Sequence, residues 1–189
     1  MVRRAVIIAF AFLCITTTLF GQYAGRHGGS KSGNPGSSTA PAEDPDLTNL
    51  KRAVAVEATD AQAAQFRVLA KCTDAARQKA KVLQQAGSEA AVSNATALQD
   101  ALDEVQRQGR GFLNTFSDAQ ASGLKKQTKK LNQSDETVVK GAKKLAAQLD
   151  QIPPDPQRLK ESATRVEQAL TKLQSDQNAL SKEMGIDAQ

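Results

Sequence analysis

The sequence predicts an all-α protein. Its expected form is an elongated antiparallel bundle of four helices, up-down-up-down, behind a signal or anchor segment and a disordered stem. Three observations point there. Beyond residue 46, apolar side chains recur at steps of three and four, the period of one helix face. Only 4% of the chain is aromatic, and past Tyr23 the rings are Phe66, Phe112 and Phe116 alone. The core must therefore be built from Ala, Leu and Val, which suits helices packed closely side by side. Apolar and polar residues nowhere alternate over a useful length, so strands are not expected.

The N-terminus is of a different kind. Met1-Val2-Arg3-Arg4 is a basic start, and Ala5 to Phe20 is a mostly apolar run. That order is the pattern of a secretory signal, and the run is short beside the ~20 residues of a membrane span. Residues 1–21 are read as a signal peptide or, if uncleaved, as a tether through residues 5–20. In both cases the rest of the chain lies outside the cytoplasm, periplasmic or extracellular. Residues 22–46 are rich in Gly, Ser and Pro, including Gly28, Gly29, Ser30, Pro35 and Gly36, with little to bury; a flexible linker is expected.

The first helix is expected over 47–86, capped by Asp46, with the stripe Leu47, Leu50, Val54, Ala58, Ala61, Val68, Cys72, Ala76 and Leu83. Gly87 is a good residue to end it, and Ser88 to cap the next. The second helix, 88–121, has the stripe Ala91, Ala95, Leu98, Leu102, Val105, Phe112 and Phe116. After Phe116 the phase slips by one residue, which places a turn or kink at Ser122-Gly123. Asn132-Gln133-Ser134-Asp135 is a competing break, and without either one 88–151 would be a single long helix. The third helix, 124–151, shows Leu124, Leu131, Val138, Ala142, Leu145, Leu149 and Ile152, and stops at Pro153-Pro154. Asp155 as cap and Pro156 as first residue open the last helix, 156–184. Its stripe is the cleanest: Leu159, Ala163, Val166, Leu170, Leu173, Gln177, Leu180 and Met184, closed by Gly185 before a short tail, 186–189. Folding at Gly87 brings Phe66 to Phe112; folding at Pro153-Pro154 pairs Ala142 with Val166.

No catalytic constellation is visible. His27 is the single histidine and lies in the stem, so no Ser-His-Asp or Cys-His set can form on the helices. Glu-x-x-His pairs, haem-attachment spacing and phosphate loops are absent, and Gly109-Arg110-Gly111 lacks the strand that a nucleotide-binding loop needs. An enzyme is not expected, nor a cofactor or metal. Cys72 falls on the first stripe and reads as a small buried hydrophobe, with an intermolecular disulfide as the sharper alternative for an odd exported thiol.

Charge is the remaining signal. The net charge is +5, two of it from Arg3 and Arg4, too little for a general claim on nucleic acid or membrane. Its distribution is uneven. Lys125, Lys126, Lys129, Lys130, Lys140, Lys143 and Lys144 crowd one helix, and between Lys125 and Lys144 the acids are Asp135 and Glu136. Such a strip can hold a protein partner or an anionic envelope polymer. It has no interleaved aromatics, so nucleic acid is not the expected ligand. The expected function is that of an exported, non-enzymatic structural or interaction protein of the cell envelope. The alternative is an extracytoplasmic chaperone that holds unfolded exported clients between its helices.

Overall fold

The computed structural model of the chain describes residues 49–50 and 56–187. The expected leader, most of the stem-side start of the first helix, and His27 lie outside these residues. Among them are five helices, four long and one short: α1 (Asp60–Gln85), α2 (Ser88–Leu113), α3 (Asp118–Gly123), α4 (Lys125–Leu149) and α5 (Pro156–Glu183). They pack into one all-helical bundle. α1 lies between α2 and α5, and α4 touches both α2 and α5. Successive long helices are antiparallel, as the polar ties between them show. Thr73 of α1 meets Gln177 of α5, and Ser134 and Gln148 of α4 meet Asp176 and Ser162 of α5.

The stripes explain the packing, with corrections at several positions. On α1 the buried side is Phe66, Leu69, Ala76, Ala80 and Leu83, with Gln62 and Thr73 among them. Val68, expected inside, is exposed, and Cys72 is only half-buried at the margin of the core. The helix does not run from 47. Residues 57–59 are non-helical, and Thr59 caps a new start at Asp60; Gln62, Leu69 and Thr73 are buried in place of Ala61, Val68 and Cys72, while Ala76 and Leu83 are buried as expected. At Gly87 the expected roles are exchanged: Gly87 is the N-cap of α2, and Ser88 is already helical.

α2 buries Ala91, Ala95, Leu98, Leu102, Val105 and Phe112 as expected. It passes through Gly109 and Gly111 without a break but ends at Leu113, eight residues earlier than the stripe predicted. The chain turns at 114–117, α3 follows, and Leu124 joins α3 to α4 with non-helical dihedrals. The slip in phase at 122–124 is thus real, and the main turn lies about two helical turns upstream of it. Ser134 is no cap. It is fully buried in the middle of α4 and donates to the Asp176 carboxylate. Ile152, expected at the end of the third stripe, is 98% exposed, because the helix has stopped at Leu149.

α5 conforms throughout. Asp155 accepts from the backbone N–H groups of Gln157 and Arg158, and Pro156 is the first helical residue. All eight stripe residues from Leu159 to Met184 are buried. Gly185 has φ +68°. Its N–H donates to Lys182 and that of Ile186 to the Ser181 carbonyl, the paired bonds of a Schellman end. Ile186, expected in a loose tail, is 5% exposed and joins the core. The Met184 carbonyl accepts from Ala58 N–H at 3.0 Å, tying the end of α5 to the start of α1.

Gly141 sets how closely α4 and α5 approach: a Cβ there would stand 2.9 Å from Val166 Cγ2. Close to this point lies the expected pair Ala142 and Val166, both buried. At the other seam, Phe66 and Phe112 meet edge to face at 5.5 Å, and Phe116 adds a second such contact at 5.2 Å.

Candidate functional site

The seven lysines predicted as a strip all lie on α4, and all are exposed. At about 100° per residue, the buried line Leu131, Val138, Leu145 puts Lys129 and Lys140 on the opposite side of the helix. Lys125 and Lys143 fall on the shoulder toward α2, and Lys126, Lys130 and Lys144 on the shoulder toward α5. They cover the whole outer face rather than a narrow line, over about 28 Å of helix length. None of them stands within 4.0 Å of a carboxylate of the described residues; the ion pairs found there join Arg77 to Asp74, Arg107 to Glu104 and Arg158 to Asp155.

The two halves of the face differ in their surroundings. Lys126 and Lys130 border a shallow depression with Asp176 and Glu183 of α5, so part of their field is met by carboxylates. Lys140 and Lys144 have a different neighbourhood. Ser162 and Ala169 mark the side of α5 nearest α4, and Arg165 and Lys172 follow each by three residues, both exposed. The antiparallel register sets them at the level of Lys144 and Lys140. This extension of the basic face was not legible in the sequence, because α5 taken alone carries nearly balanced charge.

Asp135, the acid of α4 nearest α2, is half-buried. Burial pushes its carboxyl above the usual range; Arg110 opposes the shift and Glu136 adds to it. A carboxyl whose folded pKa lies above its unfolded value favours the neutral form in the folded state. Its contribution to stability is present in acid and is lost as pH rises through the folded pKa. Asp135→Asn is therefore expected to raise the melting temperature near neutral pH and to leave it unchanged only once the pH falls below the ordinary carboxylate range. Thermal unfolding at both pH values checks this, and an equal shift at both would refute the assignment.

Cys72 is half-buried, and burial is the main cause that pushes its thiol up, with Glu104 adding and Arg107 opposing. A thiol held protonated is a poor nucleophile. Among the described residues no group of three His, Cys, Asp or Glu gathers closely enough to hold a metal ion. No helix among them is long and apolar enough to cross a membrane.

Two residues of structural consequence were missed in the sequence, Gln62 and Gln120. Each is the third residue of a capping box: Thr59 and Gln62 exchange backbone and side-chain bonds, as do Ser117 and Gln120. The two amides then bond each other reciprocally, each Nε2 to the other's Oε1 at 3.0 Å. Gln62 also donates to the Thr115 carbonyl and Gln120 to that of Glu57. The signal was present as Thr59-Asp60-Ala61-Gln62 and Ser117-Asp118-Ala119-Gln120, two copies of the hydroxyl-x-x-amide start pattern.

The class these features define is an all-helical bundle with a lysine-covered outer helix. Compared with known proteins, the chain matches no family model, no curated protein and no solved structure.

Proposed function

We propose that the protein is an exported, non-enzymatic interaction protein of the cell envelope that binds an acidic partner through the outer face of α4. The observation that carries this reading is the seven exposed lysines of one helix, none paired with a carboxylate of the described residues. Lysine supplies mobile point charge rather than fixed bidentate geometry, which suits recognition of charge density on a protein or an anionic polymer. Export rests on Arg3, Arg4 and the apolar run 5–20. In this reading residues 1–21 are the leader or tether, 22–46 a flexible stem, and the four long helices one up-down-up-down unit with α3 as its corner. The large apolar side chains exposed among the described residues are Leu50, Val68, Val82, Val92 and Ile152, single residues rather than the continuous apolar groove a client-holding chaperone would need.

The test is in-cell crosslinking of the full chain with mass-spectrometric identification of what is captured. Replacing Lys125, Lys126, Lys129 and Lys130 by glutamine is expected to lower capture of a dominant acidic partner on the order of tenfold, with a steep salt dependence in the parent chain. These side chains are exposed, so the helical signal should not change. Undiminished capture by the quadruple variant would remove the lysine face from the account. A broad set of unfolded clients would replace the reading with a chaperone.

A further inference from the structure

A second feature lies inside the bundle, away from the lysine face. Where α2 and α4 pass each other they leave a pocket of about 70 Å³ that opens to the surface between Arg110 and Asn132. Its walls are Leu69, Val105, Leu131 and Leu173, each no more than 4% exposed. Arg110 and Asn132 are exposed and Asp135 half-buried, which places these polar side chains at its rim.

Two residues that border this cavity break the rules of the helices they belong to. Gly109 sits in the interior of α2, where glycine weakens a helix. A Cβ there would meet only Leu69 Cδ1, at 3.9 Å, so packing does not demand the glycine; its effect is to leave space. Gln177 occupies a core position of α5 and is 1% exposed. Its Nε2 donates to Thr73 Oγ1 at 3.0 Å, while its Oε1 has no hydrogen-bond partner. Leucine at 177 would continue the stripe. A glycine and a buried glutamine with an unpartnered acceptor thus line one pocket, and departures of this kind gather where function opposes stability.

We propose that this cavity binds a small neutral molecule with an apolar body and one O–H or N–H donor, which donates to Gln177 Oε1. The leucine and valine floor beside Gln177 takes a neutral group, since burying an unpaired charge there is prohibitive, while Arg110 and Asp135 stand at the mouth. Size follows from comparison with a cavity of about 150 Å³ that holds benzene, so this one takes roughly three or four heavy atoms. Short-chain alcohols have that size and chemistry. Water fits less well, because a buried water needs two to four polar partners and Gln177 Oε1 is the one fully buried free acceptor among the lining side chains.

The test titrates 1-propanol into the full chain with labelled methyl groups and follows the signals of Leu69, Val105, Leu131 and Leu173. Xenon, which needs space but no acceptor, is the control. Saturable propanol shifts at these methyls are expected. Gln177→Leu should weaken propanol binding about tenfold, the worth of one hydrogen bond to a buried group, yet still admit xenon. Gly109→Leu, with helix content checked by circular dichroism, should abolish both. Xenon binding without propanol binding would show a plain apolar void and overturn the proposal. So would the absence of any saturable shift, or unchanged propanol affinity in Gln177→Leu, a variant whose new side chain continues the apolar stripe.

Discussion

Replacing Phe112 by alanine is expected to destabilise the bundle by about 3–5 kcal/mol. Phe112 is fully buried and meets both Phe66 and Phe116 edge to face. Such contacts add about 0.5–1.5 kcal/mol beyond the area buried. Elsewhere in the bundle much of the core is alanine, at Ala76, Ala80, Ala91, Ala95, Ala142 and Ala163, and alanine offers little side-chain area. A single ring therefore carries an unusual share, and the helical backbone around it is too rigid to close the space it leaves. Urea unfolding followed by circular dichroism measures the loss. A change below ~1 kcal/mol at constant slope would mean that the ring cluster is not a keystone of this end of the bundle.

Gln120→Leu is expected to cost about 2–4 kcal/mol, although leucine is the more hydrophobic residue. The amide satisfies the Ser117 N–H, the Glu57 carbonyl and both polar atoms of Gln62. Removing it leaves buried groups without partners, and the penalty of an unmade bond exceeds the net worth of a made one. Gln62→Leu should behave alike, since that amide also holds Thr59 and Thr115. The double variant should cost less than the two singles added, because each amide's main partner disappears with it. A double-mutant cycle reads this coupling directly. Strict additivity would show that the two caps act independently and that the reciprocal pair contributes nothing.

These two predictions concern the same end of the molecule, where helix starts and turns meet and where sequence reasoning was least accurate. The stripe of α2 predicted its buried face but carried the helix on to 121, because Phe116 and Ala119 still fall in phase. What stops the helix is a local competition: Ser117 and Gln120 offer a new capping box, and Thr115 turns its hydroxyl back to the Phe112 carbonyl at 2.7 Å. The same competition at Thr59 divides the expected first helix and turns Val68 outward in favour of Phe66 and Leu69. Hydrophobic period is blind to such breaks, since a cap exchanges a few hydrogen bonds without altering the pattern of apolar residues.

The lysine face was legible because charge on a single helix can be read at fixed angular steps. Its continuation through Arg165 and Lys172 was not, since that depends on how α5 lies against α4. The pocket beside Gln177 belongs to the same category: Gly109 and Gln177 are 68 positions apart, and only the packing of α2 against α5 brings them to one place.

By itself the sequence determined the helical class, the hairpin at Gly87, the break ahead of Pro156, the whole of α5 and the concentration of lysines on one helix. Each of these rests on interactions within a few residues: period, caps and backbone-restricted prolines. Tertiary structure alone decided which side of α1 is buried. It also decided that Ser134 bonds Asp176 instead of opening a helix, and that Ile186 closes the core while Ile152 faces water. Those outcomes depend on what a second helix presents at a given level, and a one-dimensional pattern does not contain the register between helices.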